Sequence, residues 1–160
     1  MHPNVRMVQD ALDAADAVGG AGQASTIQIL PDAVSTAVLA ADALGVEVGQ
    51  IANSLVFAAG DEPILVMTSG AHRVDTAKVA ATIGVRALKR ATPEFVRDHT
   101  GQAIGGVAPL GHPKPLRTLV DTALAAFDEI WAAGGIPHAV FPTTYAELVR
   151  ITGGTPTEVA

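Results

Sequence analysis

Apolar residues recur at helical spacing through Val5, Val8, Leu12, Ala15 and Val18. They follow Asn4, which can cap a first turn, and precede Gly19-Gly20, which would end the helix. Beyond a flexible joint at Ala21 to Ser25 the period changes. Ile27 and Ile29 alternate with polar neighbours over Thr26 to Leu30, as in a half-buried strand, and Pro31-Asp32 stops the run. Ser35 to Leu44 is alanine-rich and predicts a helix with Val38, Leu39 and Ala41 facing inward and Gly45 just past its end. Two apolar runs, Ile51 to Ala58 and Ile64 to Thr68, flank the turn residues Ala59 to Pro63 and predict a central hairpin.

In the second half, Asp75 is placed to cap a helix from Thr76 to Ile83 that Gly84 closes. Thr92-Pro93 opens another helix through Val96 to Thr100, and Arg86 to Arg90 between the two reads as a strand. Further short strands are expected at Leu116 to Asp121, Glu129 to Ala132 and Ala139 to Phe141. A last helix begins at Thr144, whose spacing to Glu147 is that of a capping box, and ends at Gly153-Gly154. Strands mixed with helices, some in hairpins, predict an α/β fold: a compact mixed-sheet domain with surrounding helices rather than a doubly wound one. At 160 residues and 49% hydrophobic content the chain fits one domain, residues 1–160, with residues 1–20 as an N-terminal helical addition.

Composition removes several function classes. The mean hydropathy is +0.35, yet no run of about 18 uncharged apolar residues exists to cross a bilayer. Met1-His2-Pro3-Asn4 lacks the basic and apolar regions of a secretory signal, so a cytoplasmic location is expected. With no cysteine there is no disulfide, thiolate metal ligand or Cys nucleophile. His2, His72, His99 and His112 lack the compact spacing of a metal site, and Ser54 and Ser69 lack a Gly-x-Ser-x-Gly elbow. Neither a metal hydrolase nor a Ser-His-Asp hydrolase is expected, and no cofactor is indicated.

The net charge of -6 disfavours a general nucleic-acid binder, but its distribution is uneven. Residues 1–62 carry only Arg6 against eight acidic side chains, and residues 118–160 only Arg150 against five. Between them lie Arg73, Lys78, Arg86, Lys89, Arg90, Arg97, Lys114 and Arg117 against Asp75, Glu94 and Asp98. That middle segment is either a set of ordinary solvated faces or a docking surface for a polyanion.

Glycine and proline crowd into Gly101-Gln102-Ala103-Ile104-Gly105-Gly106-Val107-Ala108-Pro109-Leu110-Gly111-His112-Pro113, a stretch too long for a plain turn. Such a loop can present backbone N–H groups to a phosphate or a developing oxyanion, and it can equally be a structural crossover. It is neither a Walker loop nor a Rossmann fingerprint.

Four segments taken in order carry a resemblance: Thr36-Ala37-Val38-Leu39-Ala40-Ala41-Asp42-Ala43-Leu44-Gly45, then Gln50-Ile51-Ala52-Asn53-Ser54-Leu55-Val56-Phe57, then Ser69-Gly70-Ala71-His72-Arg73-Val74-Asp75, then Gly105-Gly106-Val107-Ala108-Pro109-Leu110-Gly111. From about Thr26 to Val159 the chain resembles the YbaK and prolyl-tRNA synthetase-associated editing family, and most closely its free-standing ProX-like members. The resemblance implies a trans-editing hydrolase that deacylates mischarged aminoacyl-tRNA, of tRNA-Pro type, with prolyl-tRNA synthetase as a further partner. Water attacks the aminoacyl ester, without a protein nucleophile.

On this resemblance Gly105 and Gly106 offer backbone donors to the substrate carbonyl, and a valine at Gly106 would block the loop without disturbing the core. Asp121 lines the pocket in a positioning role, or else simply caps the turn that follows it. Asn53, Ser54, Pro109, Gly111 and His112 belong to the substrate-binding set, with His138 selecting the aminoacyl group or serving as an ordinary surface or core histidine. Arg73, Lys78, Lys114 and Arg117 are the tRNA-contact candidates. The chain departs from the family pattern at Asn53, where a lysine usually precedes Ser-Leu-Val-Phe. An amide has a shorter reach and no charge for a phosphate. The alternative is therefore a non-catalytic domain that binds tRNA, a nucleotide or a protein.

Overall fold

The computed structural model describes all of residues 1–160. Helix α1 spans Pro3–Ala14, with Pro3 in its first turn, where a missing N–H costs nothing. Its cap is His2, whose Nδ1 accepts from Asn4 N at 3.0 Å, and not Asn4, whose side chain instead reaches Gly135 O at 3.4 Å. The helix also stops before Gly19-Gly20: Asp16 adopts φ +50° and Val18 bridges to Ala24. These glycines serve close packing, since a Cβ on Gly20 would lie 2.6 Å from Asp128 O.

Strand β1 shrinks to Gln28–Ile29. Helix α2, Ala37–Leu44, is capped by Thr36, whose Oγ1 accepts from Leu39 N at 3.2 Å, and it ends at Gly45 in the left-handed conformation. Its buried side is Ala40 and Ala41, while Val38 and Leu39 are 60% and 47% exposed. The expected inward face is thus corrected for Val38 and Leu39. Ala37, Ala40, Ala41 and Leu44 form the i, i+3, i+4, i+7 stripe that packs near Ile51, and small side chains let the helix lie close to the sheet.

Strands β2 (Ile51–Ala59) and β3 (Glu62–Ser69) form the expected hairpin about Gly60, which has φ +61°. Helix α3, Thr76–Ile83, sits between the Asp75 cap and Gly84. Strand β4 is only Lys89–Arg90, and α4 is Pro93–Thr100, capped by Thr92. After the Gly-rich loop come β5 (Arg117–Asp121), a short 3-10 helix at Thr122–Ala126, β6 (Ile130–Ala133), β7 (Ala139–Thr143), α5 (Tyr145–Thr152) and β8 (Thr155–Thr157). The polar, three-residue β8 has no hydrophobic signature and was not expected.

Glu147 does not complete the capping box in the expected way. Thr144 Oγ1 accepts from Glu147 N at 3.1 Å, but the Glu147 carboxylate accepts from Val18 N at 3.0 Å and from Arg150 Nε at 2.6 Å. The Arg150 hydrogen bond holds that carboxyl below its ordinary range.

The eight strands form a single mixed sheet in the order β1-β7-β6-β2-β3-β5-β8, with β4 also on β2. Ile64, Leu65, Val66 and Met67 are consecutive and all fully buried, so the centre of the sheet is covered on both faces. Leu65 and Met67 join Val8, Leu12, Phe141 and Leu148 on one face, and Ile64 and Val66 join Val79, Leu88 and Val159 on the other. Each such side chain contributes about 1.5–3 kcal/mol by burial. No helix is long and apolar enough to cross a membrane.

One irregularity of the sheet positions everything that follows. On the edge of β2 away from β3, β6 pairs only with Ile51 and Ala52, and β4 pairs only with Phe57 and Ala58. Asn53 to Val56 therefore face a gap in the sheet.

Candidate active site

Asn53 and Ser54 stand where β2 leaves β6, and both line a small pocket of about 30 Å³. Its other walls are Ser35, Thr36 and Ala37 at the start of α2, Trp131 of β6, Pro137, and Gly105 from the Gly-rich loop. No charged side chain and no histidine is among the lining residues. Recognition inside it must come from amides, hydroxyls and main-chain groups. Ser35 and Thr36 were missed as site residues because the sequence reads them only as a helix start.

Gly105 and Gly106, adjacent in sequence, are glycines for different reasons. Gly105 has φ +93°, lines the pocket, and its N–H has no partner within the protein. The Gly106 N–H already donates to Ala103 O at 3.1 Å, while its carbonyl accepts from Gly135 N at 3.0 Å. A Cβ on Gly106 would meet the Ile136 and Pro137 backbone at 2.5 to 2.7 Å. Of the two amides, Gly105 is the one available to a ligand.

The loop is braced from inside by Gln102, a buried side chain whose Oε1 accepts from Ala108 N at 2.7 Å. Thr100 Oγ1 accepts from Gln102 N at 3.0 Å and donates to Val96 O at 2.7 Å, so the brace continues into α4. Sequence reading passed over Gln102. Its only signal there is a long amide directly after the helix-ending Gly101.

The remaining loop residues lie behind the pocket. Pro109 is buried, and Gly111, at φ +81°, packs on α1, where a Cβ would come within 3.3 Å of Val8 Cα. The His112 Nε2 and Ala108 O are 2.7 Å apart, and burial pushes the His112 imidazole below its ordinary value. None of the three lines the pocket. His138 is half-buried between the lining residues Pro137 and Ala139, with Nδ1 3.4 Å from Leu30 O.

Asp121 is not brought to Asn53 and Gly105. Its Oδ2 accepts from Ser69 N at 2.9 Å and Thr68 Oγ1 at 3.4 Å and lies 2.8 Å from His72 Nδ1, while Oδ1 accepts from Ala123 N at 2.9 Å. It caps the 3-10 helix, ties the ends of β3 and β5 together, and lines a separate open cavity with His72 and Glu158. Sequence spacing gave no hint of the His72 pairing.

The basic candidates separate as well. Arg73 lines a second groove that shares Ser54 with the first pocket, and Arg90, which was not singled out, lines it too. Lys78 is occupied, its Nζ donating to Ala160 O at 2.8 Å and lying 3.7 Å from Glu158. Arg117 pairs with Ile64 on β3, whereas Asn53 pairs with Thr68, four residues or about 13 Å further along the strand. Its guanidinium donates to Ile83 O at 3.3 Å, and Lys114 is exposed on the loop.

Comparison with known proteins agrees with this architecture. Residues 31–151 match the model of the aminoacyl-tRNA editing domain. An uncharacterised protein of Bacillus subtilis, YwhH, is 34% identical over 110 residues, which cover 68% of this chain and 69% of that protein. A proline–tRNA ligase of Nitratidesulfovibrio vulgaris is 32% identical over 91 residues, 57% of this chain but only 16% of the ligase. Among solved structures, a candidate trans-editing enzyme for prolyl tRNA synthetase superposes with a TM-score of 0.88 at 41% identity, covering 99% of this chain and 98% of that one. With its mixed sheet, its pocket where β6 leaves the edge of β2 and a family match over most of its length, this chain belongs to the aminoacyl-tRNA editing domain family.

Proposed function

We propose that the protein is a trans-editing deacylase that hydrolyses mischarged aminoacyl-tRNA, with tRNA-Pro-type substrates. The observation that carries this reading is the pairing of Gly105, with its unpartnered N–H, and Asn53 across one small uncharged pocket. At about 30 Å³ the pocket is far smaller than the roughly 300–1,000 Å³ typical of ligand sites, which limits it to the smallest aminoacyl groups with the ribose at its mouth. The Gly105 N–H donates to the ester carbonyl oxygen as negative charge develops there, and such a preorganised donor is typically worth about 2.7–4 kcal/mol. Water adds to the carbonyl carbon, the C–O bond to the ribose breaks, and the leaving ribose oxygen takes a proton, giving free amino acid and tRNA. Asn53 supplies donors and an acceptor to the ribose or the amino acid, Ser54 adds a hydroxyl, and His138 borders the aminoacyl end.

The whole chain acts as one editing domain, in the cytoplasm, with residues 1–20 packed on as a helical addition. Support for the last point is that Val8 and Leu12 lie in the main core although α1 precedes the family match at residue 31. Prolyl-tRNA synthetase is the proposed partner that produces the mischarged substrate. The second reading, a binding domain without catalysis, is favoured by one observation: Asn53 replaces the expected lysine and no other cation enters the pocket. Single-turnover deacylation of Ala-, Cys- and Pro-charged tRNA-Pro decides between them. Hydrolysis of one mischarged species faster than the cognate supports editing, and binding without hydrolysis of any species supports the second reading.

A further inference from the structure

The unpaired stretch of β2 opens onto a second, larger concavity of about 440 Å³, separate in its walls from the uncharged pocket except at Ser54. It is lined by four successive β2 residues, Ser54 to Phe57. Successive strand side chains point to opposite faces, so the groove runs along the strand's edge rather than across one face of the sheet. Leu88, Val96, Ile104 and Val107 form apolar walls, and Ile104 is 57% exposed at the lip.

Two guanidiniums belong to this groove. Arg90 is set by the β4 pairing that puts it opposite Phe57, and Arg73 follows the turn in which His72 N donates to Ser69 O at 2.9 Å. No acidic residue lines the groove, and neither arginine has an ion-pair partner in the protein. An acidic chain that leaves two arginines unpaired beside an apolar slot presents the elements of single-strand recognition: cations for phosphates and apolar surface for base faces.

We propose that this groove holds the single-stranded nucleotides that precede the terminal adenosine of the substrate, with their phosphates on Arg73 and Arg90. The proposal rests on the editing reading above and extends it. The strand enters past Ile104, and the terminal ribose crosses at Ser54 into the pocket of Asn53 and Gly105. An extended peptide adding to the free β2 edge is the competing occupant, but only Asn53 to Val56 are open before β6 and β4 close the edge. A four-residue edge offers a peptide few main-chain hydrogen bonds, and the two unpaired arginines favour an anionic occupant.

The experiment compares the parent with Arg73→Gln/Arg90→Gln, after confirming equal melting temperatures. The substrates are alanine esterified to adenosine and to a CCA trinucleotide. The expected result is that the parent's preference for the trinucleotide over adenosine, in kcat/KM, falls about tenfold in the variant. The salt slope for trinucleotide binding should fall by about 1.4, as for two phosphate contacts on a single strand. An unchanged preference, or an equal loss on both esters, overturns the proposal. If the parent hydrolyses neither these esters nor any charged tRNA-Pro, the editing reading fails by itself, and binding of uncharged CCA trinucleotide still tests the groove. Arginine-dependent binding supports it, while failure to bind, or displacement of the trinucleotide by an unstructured peptide, overturns it.

Discussion

Gly106 and Ile136 touch through their backbones so closely that a Cβ on Gly106 would stand 2.5 Å from the Ile136 carbonyl carbon. Neither partner is the movable end of a side chain, so the contact cannot be relieved cheaply. Gly106→Ala is therefore expected to lower stability by about 1–3 kcal/mol, and Gly106→Val by more. This reverses the expectation that valine there would obstruct the loop and spare the fold. Urea denaturation measures it, and a Gly106→Val protein as stable as the parent would show that the loop can move away from Ile136.

At Gly105 the balance is different. A side chain must accept φ +93°, and its Cβ would come within 3.1 Å of Ser35 Cβ across the pocket wall. The expected outcome for Gly105→Ala is a stability loss of about 1–2 kcal/mol together with a fall in single-turnover deacylation, because relief of the strained turn moves the amide off its position while leaving it in the chain. Equal deacylation rates in parent and variant would remove Gly105 from the mechanism.

Asp121→Ala strips partners from the buried Ser69 amide, the half-buried Ala123 amide and His72. A loss of about 1–3 kcal/mol is expected, chiefly from leaving the buried Ser69 amide unsatisfied. Because Asp121 does not line the pocket of Asn53, the folded fraction should deacylate within about tenfold of the parent rate, which measurements at low temperature with active-site titration can check. A rate loss far beyond that with intact folding would return Asp121 to the reacting centre.

His112 predicts a pH dependence of stability. Burial lowers its folded-state value, so the unfolded chain binds the proton more readily, and the stabilisation is complete above the unfolded value and is lost as pH falls below it. Melting temperature should decline from about pH 6.5 downward on account of this group, and His112→Gln should flatten that part of the profile. Identical profiles in the two proteins would exclude the effect.

Asn53→Lys places a cation in a pocket that has none. A charge-assisted hydrogen bond exceeds a neutral one by about 1 kcal/mol or more, so affinity for aminoacyl-tRNA should rise about tenfold. Melting must be followed in parallel, since an unpaired lysine in a half-buried position destabilises the free protein. If the variant folds normally and binds more weakly, the amide is matched to its ligand and the charge is unwelcome.

Asp75, Thr92 and Thr144, together with Gly45, Gly84 and Gly153, were legible in the sequence as helix starts and ends. Each acts on backbone groups only two to four residues away. The central hairpin was legible for the same reason, because its turn chemistry and its two apolar runs are neighbours in the chain. The family motifs likewise pointed to Asn53 and the Gly-rich loop. Tertiary structure alone decided the inward face of α2, the shortness of β1 and β4, and the existence of β8, since these depend on which surface packs opposite. It decided that Gly106 is spent on Ile136 while Gly105 keeps a free amide, contacts that join positions about thirty or more residues or more than sixty residues apart. It also separated Asp121 from the pocket through His72, 49 residues away, and brought Arg73 and Arg90 to one groove while leaving Arg117 at the far end of the sheet. Local interactions leave a mark in the order of residues. Strand register and a break in a sheet edge depend on where distant segments come to lie, and nothing in the spacing of neighbours encodes them.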